Sequence, residues 1–300
     1  MSANYPAIRA LDVGAQVDDY VIIEPIARGG YGVLYRAEHP LHGEVAFKAI
    51  YDAVSQTVEG QRRFFDEARL TGQVEHENIV SFIDCGTIDH PEALPGLYIV
   101  TELLSGVDLQ TYVEQKGPLD MHSMLLVSRQ LADALDAIHD AGFVHRDLKP
   151  ENVFLDVDEH DVVRVKLLDF GLARPSSSDG RRRRRHTPAG VIVGTPEFMA
   201  PEQVLNGPSG AATDLYAFGL VIYYALAGVP PFRGGQQDVL VAQVKTTPPP
   251  LASRYGCAAV DAFIDKALSK WPSQRFRRAG ELHEALAQAL SQSKAAKSGR

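Results

Sequence analysis

The stretch from Leu215 to Phe232 carries no charged residue. Its apolar part, Leu215–Ala227, is 13 residues long, and Gly228-Val229-Pro230-Pro231 closes it. A membrane span needs about 20 apolar residues, so this segment reads as a helix buried inside a protein core. The chain is long enough to supply that core. It has 300 residues, 45% of them hydrophobic and 23% charged, which excludes a disordered or fibrous protein. Thirty basic against 38 acidic residues leave a net charge of −8. Such a chain has no general pull toward nucleic acid or an anionic membrane. Cys85 and Cys257 are its two cysteines, with no partner at metal spacing, so a disulfide framework and a zinc site are excluded and a reducing compartment is expected. Residues 1–20 lack the basic region and apolar core of a secretion signal.

Two textures divide the sequence. From Tyr20 short β-prone runs follow one another: Val21-Ile22-Ile23, Val33-Leu34-Tyr35 and Val45-Ala46-Phe47, separated by glycine-rich or His-Pro turns. Residues 59–74 read as a helix, and Ile79–Ile83 and Leu97–Val100 as two more strands with a Pro/Gly loop between them. After Leu103 helix dominates. Met121–Ala141 repeats apolar residues at helical intervals and is closed by Gly142. Short strands at Val153–Leu155 and Val165–Leu168 precede a non-periodic stretch over 172–200, and helices resume at 214–227, 237–245, 260–270 and 279–290. The division is therefore a loose lead-in over 1–19, a β-rich part over 20–103, a mainly helical part over 104–290 and a flexible tail or linker over 291–300.

Three motifs carry chemistry. Arg28-Gly29-Gly30-Tyr31-Gly32 lies between two strand candidates, where glycines would let backbone N–H groups approach phosphate oxygens. By itself it reads equally as a hairpin turn. Val45-Ala46-Phe47-Lys48 puts a lysine in a strand, with Glu67 on the following helix as its candidate carboxylate. His145-Arg146-Asp147-Leu148-Lys149-Pro150-Glu151-Asn152 is followed, 17 residues after Asn152, by Asp169-Phe170-Gly171, and Ala200-Pro201-Glu202 completes the series. In this order, on these elements, the set resembles the eukaryotic-type protein Ser/Thr kinase catalytic domain, in particular its bacterial Hanks-type group. The resemblance spans about residues 20–290.

The resemblance implies an α+β, two-lobed fold, with a small β-rich N-lobe holding one key helix, a larger helical C-lobe and the nucleotide in the cleft. It implies an ATP-dependent enzyme that transfers the γ-phosphoryl to Ser/Thr hydroxyls with Mg²⁺, or Mn²⁺ in its place. Asp147 would be the catalytic base and Lys149 would sit near the γ-phosphate. Lys48, paired with Glu67, would contact the α/β-phosphates, and Asn152 and Asp169 would hold the metal, a hard cation that takes oxygen ligands. Ala27, Arg28, Gly29, Gly30 and Gly32 would cover the phosphates. Leu34 and Ala46 would roof the adenine pocket and Phe154 would floor it. Thr101 falls at the gatekeeper position, Glu102 and Leu104 would meet the adenine edge, and Asp108 would reach the ribose. Thr195 would hydrogen-bond near Asp147 and Lys149. Asp214 would brace the catalytic loop, and Arg275 would pair with Glu202.

Three positions depart from the family pattern. Ala27 stands where the first loop glycine is usual, Leu34 replaces the usual valine, and Trp271 replaces the usual aspartate before the Pro-x-x-Arg run. No acid, lysine or metal position is missing, which argues against a non-catalytic scaffold. Small-molecule phosphotransferases of similar fold usually lack the Ala200-Pro201-Glu202 segment. Between Gly171 and Ala200, Thr187 and Ser176, Ser177 and Ser178 are candidate autophosphorylation sites, since Arg146 precedes the base and such kinases commonly neutralise that arginine with a phosphate. Arg181–Arg185 reads either as a solvated loop or as a grip for that phosphate. The partners expected are ATP and a Ser/Thr-bearing protein, with a dimer for autophosphorylation in trans. The location expected is cytoplasmic, whether as a separate protein or as the cytoplasmic part of a membrane-anchored one.

Overall fold

The structure is a computed structural model that describes residues 11–29, 32–51, 57–89, 96–157, 163–168, 174–175, 195–251 and 258–298. It divides into two compact units, Met1–Glu75 with Val80–Ser105, and His76–Ile79 with Gly106–Arg300.

Unit 1 is an antiparallel sheet with one helix. Its strands are β1 (Gln16–Val17), β2 (Tyr20–Gly29), β3 (Gly32–His39), β4 (Gly43–Ile50), β5 (Phe82–Ile88) and β6 (Gly96–Glu102), in the order β1-β2-β3-β4-β6-β5. Helix α1 (Val58–Thr71) packs on β5. Alternation along the strands sorts the side chains. Val33, Tyr35 and Ala37 of β3, Val45, Phe47 and Ala49 of β4, and Tyr98 and Val100 of β6 bury one face. Leu34, Ala46, Lys48 and Thr101 lie on the other face, where Leu34 pairs with Lys48 and Ala46 with Thr101.

The lead-in over 11–19 is not loose. Leu11 and Val17 are buried in this core, the Leu11 N–H donates to the Tyr35 hydroxyl at 2.9 Å, and β1 pairs with β2. Two apolar side chains among polar neighbours suffice to hold it. The run expected as one strand from Ile79 is also split. Strand β5 begins at Phe82, while Asn78 and Ile79 join unit 2: the Leu167 N–H donates to the Asn78 carbonyl at 2.8 Å, and Asn78 Nδ2 donates to the Val165 carbonyl and to Gln130.

Unit 2 is mainly helical. Helix α2 (Leu109–Lys116) has Asp108 as its N-cap, and α3 (Met121–Asp140) has Asp120. The short strands β7 (Val107–Asp108), β9 (Val153–Val157) and β10 (Val163–Leu167) form one sheet, and β8 (Phe143–Val144) pairs with β11 (Arg174–Pro175). Then come α4 (Pro201–Val204), α5 (Ala211–Ala227), α6 (Gln236–Lys245), α7 (Ala258–Ala267) and α8 (Ala279–Ser298). The uncharged segment is α5, buried without a break from Thr213 to Leu226 and ended by Gly228 in the left-handed conformation at φ 80°. Helix α3 packs on α5 and α8, and α7 on α5 and α8. The expected tail from Ser291 is instead helical through Ser298, and Ser293 is fully buried. That segment has neither Gly nor Pro before Gly299, and its Ala, Lys and Gln residues favour helix.

An ion pair fixes α4 within this helical part. Arg275 Nη1 and Nη2 each donate to a different Glu202 oxygen at 2.8 Å. Its other N–H groups reach the carbonyls of Ala212, Ser269 and Lys270, so all five donors are used. Thr213 also donates to Glu202, and the guanidinium lies 4.7 Å from the Tyr216 ring centre. Burial pushes the Glu202 carboxyl up, but the Arg275 hydrogen bonds and charge outweigh this and hold it below its ordinary 4.5. A carboxyl depressed in the folded state stabilises fully above its unfolded value and loses that contribution as pH falls through the folded one. Glu202→Gln should therefore destabilise by about 3 kcal/mol near neutrality. The gap to the parent, read from urea midpoints, should be flat above pH 4.5 and shrink below it; a gap independent of pH down to unfolding would contradict the assignment.

Candidate active site

The catalytic-loop residues gather on unit 2 around one buried carboxylate. Asp214, in the first turn of α5, is fully buried. Its Oδ1 accepts from the Arg146 N–H at 2.7 Å, and its Oδ2 accepts from the His145 N–H at 2.8 Å and lies 2.8 Å from His139 Nε2. Three donors and the positive end of a helix make a buried charge tolerable. Arg146 takes a left-handed backbone at φ 66°, a conformation costing about 1–2 kcal/mol for a side chain other than glycine. The two Asp214 bonds, to its own N–H and to that of His145, hold it there from its N-terminal side. His145 completes the brace: Nδ1 accepts from the Asp147 N–H at 3.3 Å and Nε2 donates to the Leu168 carbonyl at 3.0 Å.

This turn presents Asp147. Its carboxylate lies 3.6 Å from Lys149 Nζ, and its carbonyl accepts from Asn152 Nδ2 at 2.8 Å. That bond commits the Asn152 amide nitrogen and leaves Oδ1 as the other polar atom of a buried side chain. Asp147 and Lys149 line a cleft with Thr195, Phe198, Met199 and Gln203. Thr195 shares this wall, but among the described residues its hydroxyl makes no hydrogen bond to Asp147 or Lys149; it opens the short turn Pro196–Phe198 with its carbonyl, which takes the Phe198 N–H.

That turn is held from below. Gln243 of α6, fully buried, donates to the carbonyls of Pro196 at 3.1 Å and Glu197 at 2.8 Å and accepts from the Tyr216 hydroxyl at 2.8 Å. Lys270 Nζ donates to that same hydroxyl at 3.0 Å and lies 4.5 Å from the Phe232 ring centre. Burial, and the Arg275 charge beside it, pull the Lys270 ammonium from 10.5 down to about 8. Gln243, Lys270 and the His139 contact were not foreseen from the sequence; nothing local marks them.

Other expected residues sit as follows. Phe154 pairs with Asp108 and Lys166 on one face of its sheet. Asp108 caps α2, taking the Thr111 N–H at 2.9 Å and hydroxyl at 2.7 Å, which the ribose assignment did not anticipate. On unit 1, Leu34, Ala46, Lys48 and Thr101 share a face, and Glu102 ends β6 with its N–H given to the Ser81 carbonyl and its own carbonyl taking the Thr101 hydroxyl at 3.3 Å. Leu104 follows it. Gly29 pairs with Gly32 at the end of the β2–β3 hairpin, so the hairpin reading is geometrically correct. A Cβ on Gly32 would lie 2.0 Å from the Ala49 carbonyl oxygen, which excludes any other residue. Ala27 pairs with Leu34, and Arg28 with Val33; Ala27 is not left-handed, so alanine is tolerated there. Trp271 stands at the N-cap of the Pro272–Gln274 turn without a capping bond and is 70% exposed. The Glu67 side chain, Gly30, Asp169, Thr187, Ser176, Ser177, Ser178 and Arg181–Arg185 lie outside the described residues.

The protein kinase domain model matches residues 20–289. The chain belongs to the protein kinase domain family. Among its relatives, serine/threonine-protein kinase Pkn1 of Myxococcus xanthus is 38% identical over 293 residues, 96% of this chain and 41% of Pkn1. Serine/threonine-protein kinase PknE of Mycobacterium tuberculosis is 34% identical over 281 residues, 93% of this chain and 47% of PknE. Serine/threonine-protein kinase PknH of Mycobacterium tuberculosis is 32% identical over 283 residues, 93% of this chain and 43% of PknH. The kinase domain thus falls in the bacterial Hanks-type Ser/Thr group, and it spans less than half the length of these relatives. The α+β expectation, a β-sheet region followed by a helical one, is that of this family.

Asp214→Asn tests the brace. Asparagine offers one acceptor where three donors converge, so its amide N–H₂ must face a backbone N–H. We expect a loss of about 2–3 kcal/mol in denaturant stability and faster amide exchange at His145 and Arg146. Unchanged exchange there would show that the loop is held by other contacts.

Proposed function

We propose that this kinase domain transfers the γ-phosphoryl of Mg-ATP to Ser/Thr hydroxyls of proteins, with Asp147 as the base. The observation that carries the reading is the turn at Arg146. A buried carboxylate holds a left-handed residue so that Asp147 and Lys149 line one cleft, with Asn152 tied to the Asp147 carbonyl. Asp147 would accept the proton of the substrate hydroxyl as its oxygen bonds to the γ-phosphorus and the bond to the β-phosphate oxygen breaks, releasing ADP. Lys149 Nζ, beside that carboxylate, would neutralise charge developing on the transferred group. The donor set suits magnesium: with its amide nitrogen committed to the Asp147 carbonyl, Asn152 would offer Oδ1, and Asp169 is the second expected ligand. Bound there, the cation would offset phosphate charge; manganese fits the same oxygens.

From unit 1 the reading takes Lys48 for the α/β-phosphates, with Glu67 as its partner. It takes Gly29, Gly30 and Gly32, with Ala27 and Arg28, for the phosphate cover. Leu34, Ala46 and Thr101 would meet the adenine ring and the Glu102 and Leu104 backbone its edge. From unit 2 it takes Phe154 for the opposite face of the ring and Asp108 for the ribose. Thr195 would hydrogen-bond near Asp147 and Lys149. Thr187, Ser176, Ser177 and Ser178 are the proposed self-phosphorylation sites, modified in trans by a second copy. No described helix is long and apolar enough to cross a membrane. The reading puts the domain on the cytoplasmic side, where ATP is held.

Incubating the purified protein with Mg-ATP, then mapping phosphosites beside an Asp147→Asn control, tests it. Phosphate on Thr187 or Ser176–Ser178, absent from the control, is the expected result. Equal phosphate in both samples, or transfer to no serine or threonine of the chain or of an added acceptor protein, would overturn the reading.

A further inference from the structure

Gln203 holds two parts of unit 2 together with the two ends of one amide. Its Oε1 accepts from the Ala200 N–H at 2.9 Å, which satisfies a free donor at the start of α4. Its Nε2 donates to the Arg146 carbonyl at 2.8 Å. Arg146 is the left-handed residue immediately before the proposed base. Asp214 holds the N–H groups on one side of this turn; Gln203 holds the carbonyl that leads directly into the Asp147 peptide. Rotation of that peptide would swing the Asp147 carboxylate relative to Lys149 and to the Asn152 amide, because Asn152 is tied to the next carbonyl.

The helix-cap role alone does not explain this residue. A side chain reaching back from the third helical position to the Ala200 N–H needs only an acceptor, and a glutamate would supply one as well as a glutamine. Ala200 cannot cap, so the glutamine serves the helix from inside it, and its donor end is directed 57 residues back along the chain.

We propose that Gln203 is a positioning residue for phosphoryl transfer: it fixes the Arg146–Asp147 peptide and makes the orientation of the base depend on a folded Ala200–Val204 segment. The proposal rests on the kinase reading given above. It links the end of the segment that carries Thr195 to the base through one side chain. A displaced segment would withdraw the Nε2 donor and leave the left-handed turn held on one side only.

Two substitutions separate this role from helix capping. Gln203→Glu keeps an acceptor for the Ala200 N–H but presents a carboxylate oxygen to the Arg146 carbonyl. Gln203→Ala removes both bonds. If Gln203 positions the base, both variants lose about tenfold in kcat, while KM for ATP stays within about twofold, and both show faster amide exchange at Arg146 and Asp147. Thermal midpoints measured alongside identify any loss that comes from unfolding. A Gln203→Glu protein with parental kcat and parental exchange, beside an impaired Gln203→Ala protein, would reduce Gln203 to a helix cap and overturn the proposal. If the parent itself transfers no phosphate, the kinase reading fails, and the exchange rates alone still decide whether Gln203 fixes this turn.

Discussion

A carboxylate buried at the start of an apolar helix is the constraint on which unit 2 depends. Asp214 has almost no contact with water, and an isolated ion there would be prohibitively costly. It is stable because His139, the His145 N–H and the Arg146 N–H converge on its two oxygens at 2.7–2.8 Å, and because α5 turns its positive end toward it. The helix cannot shift to relieve any of these bonds, since its side chains are enclosed from Thr213 to Leu226. Rigidity that originates in hydrophobic packing thus passes through one charge into a strained loop. The Asp214 bonds to the His145 and Arg146 N–H groups hold Arg146 left-handed, and Asp147 follows from it.

The segment after Thr195 is governed by a second network. Gln243 holds its first carbonyls, Gln203 joins its last turn to the catalytic loop, and Arg275 fixes Glu202 in α4. Two of these ties, Gln243 and Arg275, meet at Tyr216, whose hydroxyl serves Gln243 and Lys270 while its ring faces the Arg275 guanidinium. A polar network this deep is stabilising only when its members are satisfied. Arg275 meets that condition with all five donors engaged, and Gln243 uses both ends of its amide. Lys270 is the strained member, its ammonium pulled down to about 8 by burial and by the charge of Arg275.

How far the sequence discloses this arrangement depends on the range of each interaction. The absence of charge over Leu215–Phe232 is local, and it was enough to identify α5. The run His145–Asn152 is also local, so the resemblance located Asp147, Lys149 and Asn152. Asp214 lies 68 residues from Arg146, and Arg275 lies 73 from Glu202, so no pattern in the sequence joins them. Only the family resemblance suggested those pairs. Where neither local pattern nor resemblance applied, the reading went astray. Leu11 and Val17 looked isolated among polar residues yet pack under Tyr35 and its neighbours. Ile79 looked like the start of a strand because it is apolar and β-branched, but its backbone pairs with Leu167 within unit 2. Ser291 looked like the start of a loose tail because it is small and polar, but nothing before Gly299 breaks the helix.

The chemistry of the ties themselves also follows a rule. Both glutamines act at points that need an acceptor and a donor simultaneously, within reach of ionised groups. A carboxylate at position 203 would accept from Ala200 but repel the Arg146 carbonyl and add negative charge to the cleft that holds Asp147. A lysine would donate to that carbonyl but leave the Ala200 N–H without an acceptor and draw the Asp147 carboxylate toward itself. A neutral amide performs both functions without altering the field at the base, and its planar end fixes the direction of each bond. Ionisable groups act at Asp147, Lys149 and the braces at Asp214 and Glu202, while the connection between the segment and the catalytic loop is carried by an amide that does not titrate.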